Sequence, residues 1–508
     1  MRFYLTTAID YCNGKPHLGT AYEKVTADVL ARAHRARGRD VRFLMGNDEH
    51  AIKIEQAARD RGLEPIAWCD QMEALFRETW DALGCSYDVF IRTTEPRHHR
   101  AVQEFLRRIK DGGDLYLGSY EGWFCTGCEA FKKPEELTDE RCPDHVSLVP
   151  KWLKEENWFF RLSKYRDPLL AHFKDNPTFV QPDFRRNELV AFLERGLEDV
   201  SISRRTTWGV PFPFDSEAKV YVWFDALINY ATGAGFATDD KEFATWWPAD
   251  LHIVGKDITR FHGIQWPAML LAAGLPLPRR IFGHGYVNAL GSRLSKSAGS
   301  KVDPKDLADH VTADALRYYL CREAAYGADL EWSDERLYAR ANSDLANSLG
   351  NLLSRATAMV HKWFGGTVSA DISNSPLVEE ARVAIARVEA AVDLCALQEV
   401  ASIPMELVAK ANLHVDQKAP WALAKDPARR EELAYVLTEI IHLTFIAGSL
   451  LLPIMPTKMG ELIRRLTGSA PLGHGDWVNL GTRFIAKDRV LEQGTPLFPR
   501  IEPPTSET

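Results

Sequence analysis

A chain of 508 residues exceeds what one hydrophobic core supports and divides into roughly two to four domains. Its composition, 45% hydrophobic and 26% charged, is that of an ordinary soluble protein. A formal net charge of −8 excludes a global basic field, so any nucleic-acid partner must be met by local basic and aromatic surface.

The chain opens with FYLTTAIDYCNGKPHLGTAYEK, residues 3 to 24. Phe3 to Ile9 is a short, apolar, β-prone run. It breaks at Asn13-Gly14-Lys15-Pro16, and a helical pattern follows from about Leu18 to Arg37. Strand, glycine-bearing turn and helix predict the first unit of a parallel α/β sheet. In such a sheet the turn after the first strand faces the ligand crevice, where helix N–H groups meet phosphate. His17 and Gly19 stand at that entrance. An imidazole there can donate to a phosphate oxygen, and a glycine lets a ligand approach the backbone. A histidine beside a turn is more often structural, so this stretch alone leaves both roles open. No apolar leader precedes the strand. The basic run RAHRARGR (32–39) reads as a solvated helix end.

VRFLMGND (41–48) is a second strand, 51–61 and 66–83 are helical, and CSYDVFIRTT (85–94) is a third strand. From about 116, aromatics, glycines and cysteines crowd GSYEGWFCTGCEAF and helical periodicity is lost, which marks an insertion to about 200. Inside it lie Cys125, Cys128, Cys142 and His145. Two knuckle-like pairs supply three thiolates and one imidazole, enough to close a tetrahedral zinc site. Four protein ligands leave no position for water, so such a metal is structural, a staple for a small unit with little core. The other cysteines singled out, Cys12, Cys69, Cys85, Cys321 and Cys395, are scattered and suit a reducing cytosol.

The α/β pattern returns at KVYVWFDALINYA (219–231), LHIVGKDITRFHG (251–263) and RIFGHGYVNAL (280–290). GSRLSKSAGSKVDP (291–304) follows, a loop of small residues with Arg293, Lys296 and Lys301. Such a loop can close over a polyphosphate and neutralise charge in the transition state. It is not a Walker loop. After about 340 the pattern is helical, with a glycine loop at Gly365-Gly366 and breaks at Pro420 and Pro453. IIHLTFIAGSLLLPIMP (440–456) is too short and broken to span a bilayer and reads as a buried helix. The tail from 490 is expected to be loose beyond 500.

HLGT and RLSKS together resemble the HIGH and KMSKS motifs of class I aminoacyl-tRNA synthetases. TTAIDYCNGKPHLG, GNDEHA, FIRTTEPRH, the zinc insertion, YVWFDALINY, HIVGKDITRFHGIQWPAML and VDP followed by DALRYYL narrow the resemblance to the methionyl-tRNA synthetase family. It runs from residue 3 to about 460. It implies an α/β catalytic domain with a split Rossmann-type parallel sheet, a zinc-bearing connective insertion, and an all-α anticodon-binding bundle. The corresponding spans are 1–115 and 201–300 for the catalytic halves, 116–200 for the insertion and 301–340 for a linking segment. The bundle takes 341–475 and the tail 476–508.

The same resemblance implies the chemistry. Methionine carboxylate attacks the α-phosphate of ATP, carried with Mg2+, and the adenylate then acylates the 3′ ribose of initiator and elongator methionine tRNAs. His17 and Gly19 match the first ATP motif, Thr20 stands in it where the last histidine of HIGH is usual, and Gly283, His284 and Gly285 match the adenine and ribose side. Lys296 matches the second lysine of the mobile loop, Arg293 stands where its first lysine is usual, and Arg204 resembles an arginine that organises the activated substrate. Asp48 matches the carboxylate for the methionine ammonium. Ile9, Tyr11, Trp223, Ala226, Tyr230, Ile258 and His262 match the side-chain pocket. Trp223 and Tyr230 are seven apart, and Ile258 and His262 four apart, so each pair shares a helix face. Asn347, Asn351 and Arg355 recur every four residues. Each step rotates by only about 40°, so they share a face as well. With Trp421 they match the positions that read the CAU anticodon. Thr20, Asn47, Ala51 and Arg293 depart from the usual pattern. A cytoplasmic monomer is expected. Two rivals stay open: a paralogue making an aminoacyl-adenylate for another purpose, and an inactive tRNA-binding relative.

Overall fold

The computed structural model describes residues 1–125, 130–132, 134–143, 148–289, 292–293, 303–368, 370–487 and 489–502. Its centre is a seven-stranded sheet in which every pairing is parallel. The first four strands are β1 (Arg2–Thr7), β2 (Asp10–Tyr11), β3 (Asp40–Asp48) and β4 (Val89–Arg92). Leu251–Gly255, Ile281–His284 and Val180–Gln181 complete it. The order is β2, β3, β1, Leu251–Gly255, Ile281–His284, Val180–Gln181, with β4 also on β3. Phe3 to Thr7 and all of Leu251–Gly255 are buried, as expected of parallel strands covered by helices on both faces.

The topology locates the crevice. From β1 the chain passes through α1 (Leu18–Ala36) to β3 on one side. The other edge of β1 is filled only by Leu251–Gly255, in register Leu5↔Leu251, and the chain then moves outward to Ile281–His284. The strand order therefore reverses between β1 and Leu251–Gly255. Ligands of open α/β sheets bind at the carboxyl ends of the strands at such a point.

The aromatic insertion is a four-stranded antiparallel sheet, Ala130–Lys132, Leu115–Cys125, Lys151–Phe160 and Val200–Ser201. The expected insertion span also holds Val180–Gln181, which is the edge strand of the central sheet and pairs with Ile281–Phe282.

From Asp334 to Thr467 the described residues are mainly helical. Asn351–Phe364 ends in a left-handed Gly365 (φ 62°), a conformation that costs glycine little. Pro376–Asp393, Leu397–Lys418, Arg430–Leu451 and Pro456–Thr467 follow. The apolar run at 440–456 belongs to a longer helix than its sequence indicates. Pro427–Leu451 is long and apolar enough to cross a membrane by length and composition, but 83% of its apolar window is buried inside the protein.

The basic run at 32–39 is not a solvated helix end. Arg32 bonds Asp28, Arg35 bonds Asp88, Arg37 reaches Asp393 at the end of Pro376–Asp393, and His34 is buried. These arginines tie α1 to the core and to the bundle. Arg317, fully buried on Ala313–Arg322, makes the deeper joint. It pairs with Asp28 of α1 at 2.7 Å and donates to Leu83 O, Pro453 O and Ile454 O. One guanidinium thus clamps α1 to the turn after Arg430–Leu451.

Candidate active site

His17 is the N-cap of α1, where the first helical N–H groups lack intrahelical partners. Its Nδ1 accepts from Thr20 N at 3.3 Å. The Thr20 hydroxyl in turn accepts from His17 N at 3.1 Å and donates to His17 O at 2.7 Å. This reciprocal capping box explains the departure at Thr20: its short hydroxyl is used to start the helix. Since Nδ1 is an acceptor, Nε2 carries the ring proton and is the donor. Gly19 lies in the same first turn.

Behind this turn is a buried charge chain in which only His284 was expected to have a role. Lys24 Nζ, fully buried, meets Glu23 at 2.6 Å, Asp10 at 3.1 Å and Ala8 O at 2.7 Å. Glu23 also meets His284 Nε2 at 2.9 Å, and His284 Nδ1 bonds Gly285 O at 2.7 Å. Burial pushes the Glu23 carboxyl up, but Lys24 and His284 outweigh it and hold it below its usual range. For Lys24 burial works downward, and Asp10 and Glu23 overcome it to raise the ammonium pKa. The chain fixes α1 against β2 and against the end of Ile281–His284. Adjacent Glu and Lys inside the otherwise apolar helix were its sequence signal. Gly283 and Gly285 are positions of close approach. A Cβ on Gly283 would meet Thr259 Cγ2 at 2.6 Å, and one on Gly285 would meet Ala328 O at 2.1 Å.

Across the crevice, the residues expected to line an amino-acid pocket lie on four segments. Tyr11 and Asp48 are in register on neighbouring strands, and Asp48 is buried. Half-buried Ile9 follows β1 at the same sheet edge. Trp223 and Ala226 lie on Val222–Leu227, and Tyr230 on Asn229–Gly233, two short helices meeting at Ile228. Trp223 stacks on Phe261 with centroids 4.1 Å apart and planes 4° apart, and Tyr11 approaches the same indole edge-on at 6.2 Å. Phe261 was not foreseen, although it lies between Ile258 and His262.

His262 sits in a π-helical turn, Phe261–Gln265. Its Nδ1 donates to Ile258 O at 2.9 Å, and its Nε2 accepts from the Tyr230 hydroxyl at 2.6 Å. The Tyr4 hydroxyl holds Tyr230 O at 2.8 Å. Burial pushes the His262 pKa down to about 4 and the Tyr230 phenol up, so both are neutral near pH 7. The pocket end is therefore polar, uncharged and fixed.

A second buried network supports this wall. Asp225, between Trp223 and Ala226, meets His50 Nδ1 at 2.6 Å and His98 Nε2 at 2.7 Å. Burial pushes its carboxyl up, yet the two imidazoles hold it well below the usual range. GNDEHA, TTEPRH and WFDA each contained one member, but sequence spacing could not join them. Asn47 donates to Asp10 O at 3.4 Å, linking β2 and β3. Ala51 leaves α2 (Ile52–Arg59) without a side-chain N-cap.

Arg204 bonds Ser201 Oγ at 2.9 Å and Ser203 O at 2.7 Å and stacks over Tyr221 at 4.2 Å. Arg293 lies in the two-residue strand Ser292–Arg293, opposite Asn288. Lys296, Lys301, Cys128 and His145 lie outside the described residues. Cys125 and Cys142 are both buried.

On the bundle, Asn347 and Asn351 are exposed, Arg355 is half-buried and Trp421 is 46% exposed. Asn347 lies in the π-helix Arg340–Gly350, Asn351 and Arg355 in Asn351–Phe364, and Trp421 in Pro420–Leu423. Arg355 pairs with Asp416 at 3.6 Å. The tail is held as far as Ile501, which exchanges two bonds with Asn342, and Arg500 bonds Asn347 Oδ1 at 3.0 Å.

A parallel sheet with a capped helix and a buried Tyr230–His262 pair near its switch point, followed by a helical bundle, defines a Rossmann-type α/β protein with an appended α domain. Residues 3–148 and 133–357 match the family described as tRNA synthetases class I (M), and the chain belongs to that family. It is 42% identical to the methionine–tRNA ligase of Caldanaerobacter subterraneus over 506 residues, 98% of this chain and 79% of that protein. It is likewise 42% identical to that of Thermotoga maritima, over 99% of this chain and 81% of the relative. Among solved structures it is similar to Mycobacterium tuberculosis methionyl-tRNA synthetase in complex with methionyl-adenylate, with a TM-score of 0.94, 40% identity, and 98% and 100% of the two chains covered. The apo form of that enzyme matches with a TM-score of 0.88, 38% identity, and 99% of each chain covered.

Proposed function

We propose that the chain is a methionine–tRNA ligase that activates L-methionine with ATP and charges methionine tRNAs. The observation that carries this reading is the shared crevice. The capped N-terminus of α1 and the Asp48–Tyr230–His262 pocket lie at the carboxyl ends of strands in one sheet, as positioning a carboxylate against an α-phosphate requires.

Asp48 receives the methionine ammonium. Tyr11, Trp223, Ala226, Ile9 and Ile258 wall the side chain, while the neutral Tyr230–His262 pair closes the thioether end. A carboxylate oxygen of methionine bonds to the α-phosphorus of ATP, the bond to the bridging oxygen breaks, and pyrophosphate leaves. No protein nucleophile takes part. His17 Nε2–H and the Gly19 N–H meet phosphate oxygens, and Thr20 sets the histidine tautomer. Arg293 and Lys296, on the loop that closes the crevice, offset developing negative charge, and Mg2+ accompanies ATP. Gly283, His284 and Gly285 flank the adenosine, and Arg204 organises the activated intermediate. The ribose hydroxyl at the tRNA 3′ end then attacks the acyl carbon and displaces AMP.

The exposed face of Asn347, Asn351, Arg355 and Trp421 reads the anticodon of initiator and elongator tRNAs through amide and guanidinium hydrogen bonds and one stacking platform. Cys125, Cys128, Cys142 and His145 hold a structural zinc ion. The division into catalytic halves (1–115, 201–300), insertion (116–200), linking segment (301–340), bundle (341–475) and tail (476–508) follows the same reading, as does a cytoplasmic monomer.

ATP–pyrophosphate exchange with each amino acid in turn, followed by charging of methionine tRNA, tests the function. Exchange dependent on methionine alone, with charging, is the expected result. Exchange without charging would identify an adenylate-forming paralogue, and binding without exchange an inactive relative.

A further inference from the structure

Two cysteines 57 positions apart in sequence meet in the fold. Cys12 follows β2, and Cys69 lies on α3 (Pro65–Ala82). Both are fully buried, and their sulfurs are 3.9 Å apart. Glu49, also fully buried, stands beside them at the end of β3, and one ligand atom from each of the three lies within 4.8 Å of the others. We propose that Cys12, Cys69 and Glu49 form a binding site for one thiophilic divalent cation, with zinc the physiological candidate, separate from the knuckle in the insertion.

The sulfur separation carries the argument. A disulfide needs sulfurs about 2.05 Å apart. Two thiolates bound tetrahedrally at about 2.3 Å from zinc stand about 3.8 Å apart. The observed 3.9 Å, the length of a thiol–thiol hydrogen bond, is also close to the second arrangement, and Glu49 supplies a third ligand atom within 4.8 Å of both sulfurs. Asp48 O, 3.7 Å from Cys12 Sγ, offers a hard oxygen on the same side. Two thiolates and one carboxylate carry three negative charges, and a divalent cation offsets two of them. Arg92 lies 2.7 Å from Glu49 on the other side. Asp70 and Glu73 hold Arg92 in place at 2.7 and 3.6 Å, and the Thr94 hydroxyl bonds the second Glu49 oxygen.

The surroundings orient the ligands in the way that outer partners of metal sites do. Trp68 Nε1 donates to Cys12 O at 3.0 Å, and Trp208 Nε1 donates to Glu49 O at 2.5 Å. On binding, two S–H bonds break, the protons go to solvent, and two metal–sulfur bonds form, with no redox change. Because Cys12 follows Tyr11 directly, the cation staples the strand that walls the amino-acid pocket to α3.

The test is metal stoichiometry on the full chain. After equilibration with zinc and removal of the excess, the wild type should hold one equivalent more than the Cys12→Ser/Cys69→Ser double variant. Cobalt substitution should give a thiolate charge-transfer band that weakens by two sulfurs in that variant. Equal metal content and equal bands would overturn the site. Should the double variant fail to fold, cadmium NMR of the wild type decides instead. A resonance in the two-thiolate region supports the site, and a spectrum with only a three-thiolate signal, or none, refutes it. Loss of the knuckle metal removes only the three-thiolate signal, so the two metal assignments can fail separately.

Discussion

The crevice and the outer face of the bundle are built on opposite terms. In the crevice Tyr230 and His262 are each 1% exposed, hydrogen-bonded to each other and braced from behind. On the bundle Trp421 is nearly half exposed and Asn347 is met by the tail through Arg500. On the function proposed above, the difference follows the ligands each region would take. A small amino acid has one shape, and a pre-formed dry pocket binds it with little left to order. An RNA loop brings splayed bases, and exposed amides, a guanidinium and an indole can meet them as they arrive. The joint between the regions is the buried Arg317–Asp28 pair.

That joint should give the largest effect. Arg317→Met leaves the buried Asp28 with Arg32 as its one remaining guanidinium, beside the Ser86 N–H and hydroxyl, and should cost about 3–5 kcal/mol of unfolding free energy, read as a lower urea midpoint. Acid should act on the same pair. Against burial, Arg32 and Arg317 hold the Asp28 carboxyl down to about 2, below its unfolded value of about 3.9. Its stabilisation, roughly 2 kcal/mol, is therefore complete above about pH 4 and lost as pH falls towards 2. Arg317→Met should flatten the acid limb of the stability curve there. An unchanged limb would mean that the joint is not where the two regions are locked.

Within the crevice, Asp48→Asn removes the charge that meets the substrate ammonium. It should lower kcat/KM for methionine by about a hundredfold or more, with KM for ATP nearly unchanged. Tyr230→Phe leaves His262 Nε2 buried without its donor and should cost about tenfold in the same quantity, near 1.4 kcal/mol. Neither change should alter KM for tRNA. On the bundle, Arg500→Ala frees Asn347 Oδ1 from an exposed contact worth less than about 1 kcal/mol. KM for tRNA should fall by about twofold, with pyrophosphate exchange untouched.

The legible parts of this fold were those set by local pattern. The strand–turn–helix at the start, the apolar β3 and the capped α1 follow from residue order, and all stand close to where the sequence places them. What spacing could not give were associations across long separations. The chain Asp10–Lys24–Glu23–His284 joins residues some 270 positions apart, and Asp225 collects His50 and His98 from two other elements. Buried charge is costly unless paired, so each charged residue inside an apolar run called for a partner without naming it. The run at 32–39 misled for the same reason, because its arginines meet acids on distant elements rather than water. Val180–Gln181 was hidden by brevity: two residues show no period, yet they form the edge of the central sheet.

The separation of the two regions is tested most directly by measuring pyrophosphate exchange and tRNA charging on one preparation of Trp421→Ala. Loss of a stacking platform should cost about 1–3 kcal/mol in tRNA recognition. The account expects kcat/KM for charging to fall at least tenfold while methionine-dependent exchange keeps its wild-type rate. Equal loss in both assays, or undiminished charging, would contradict it.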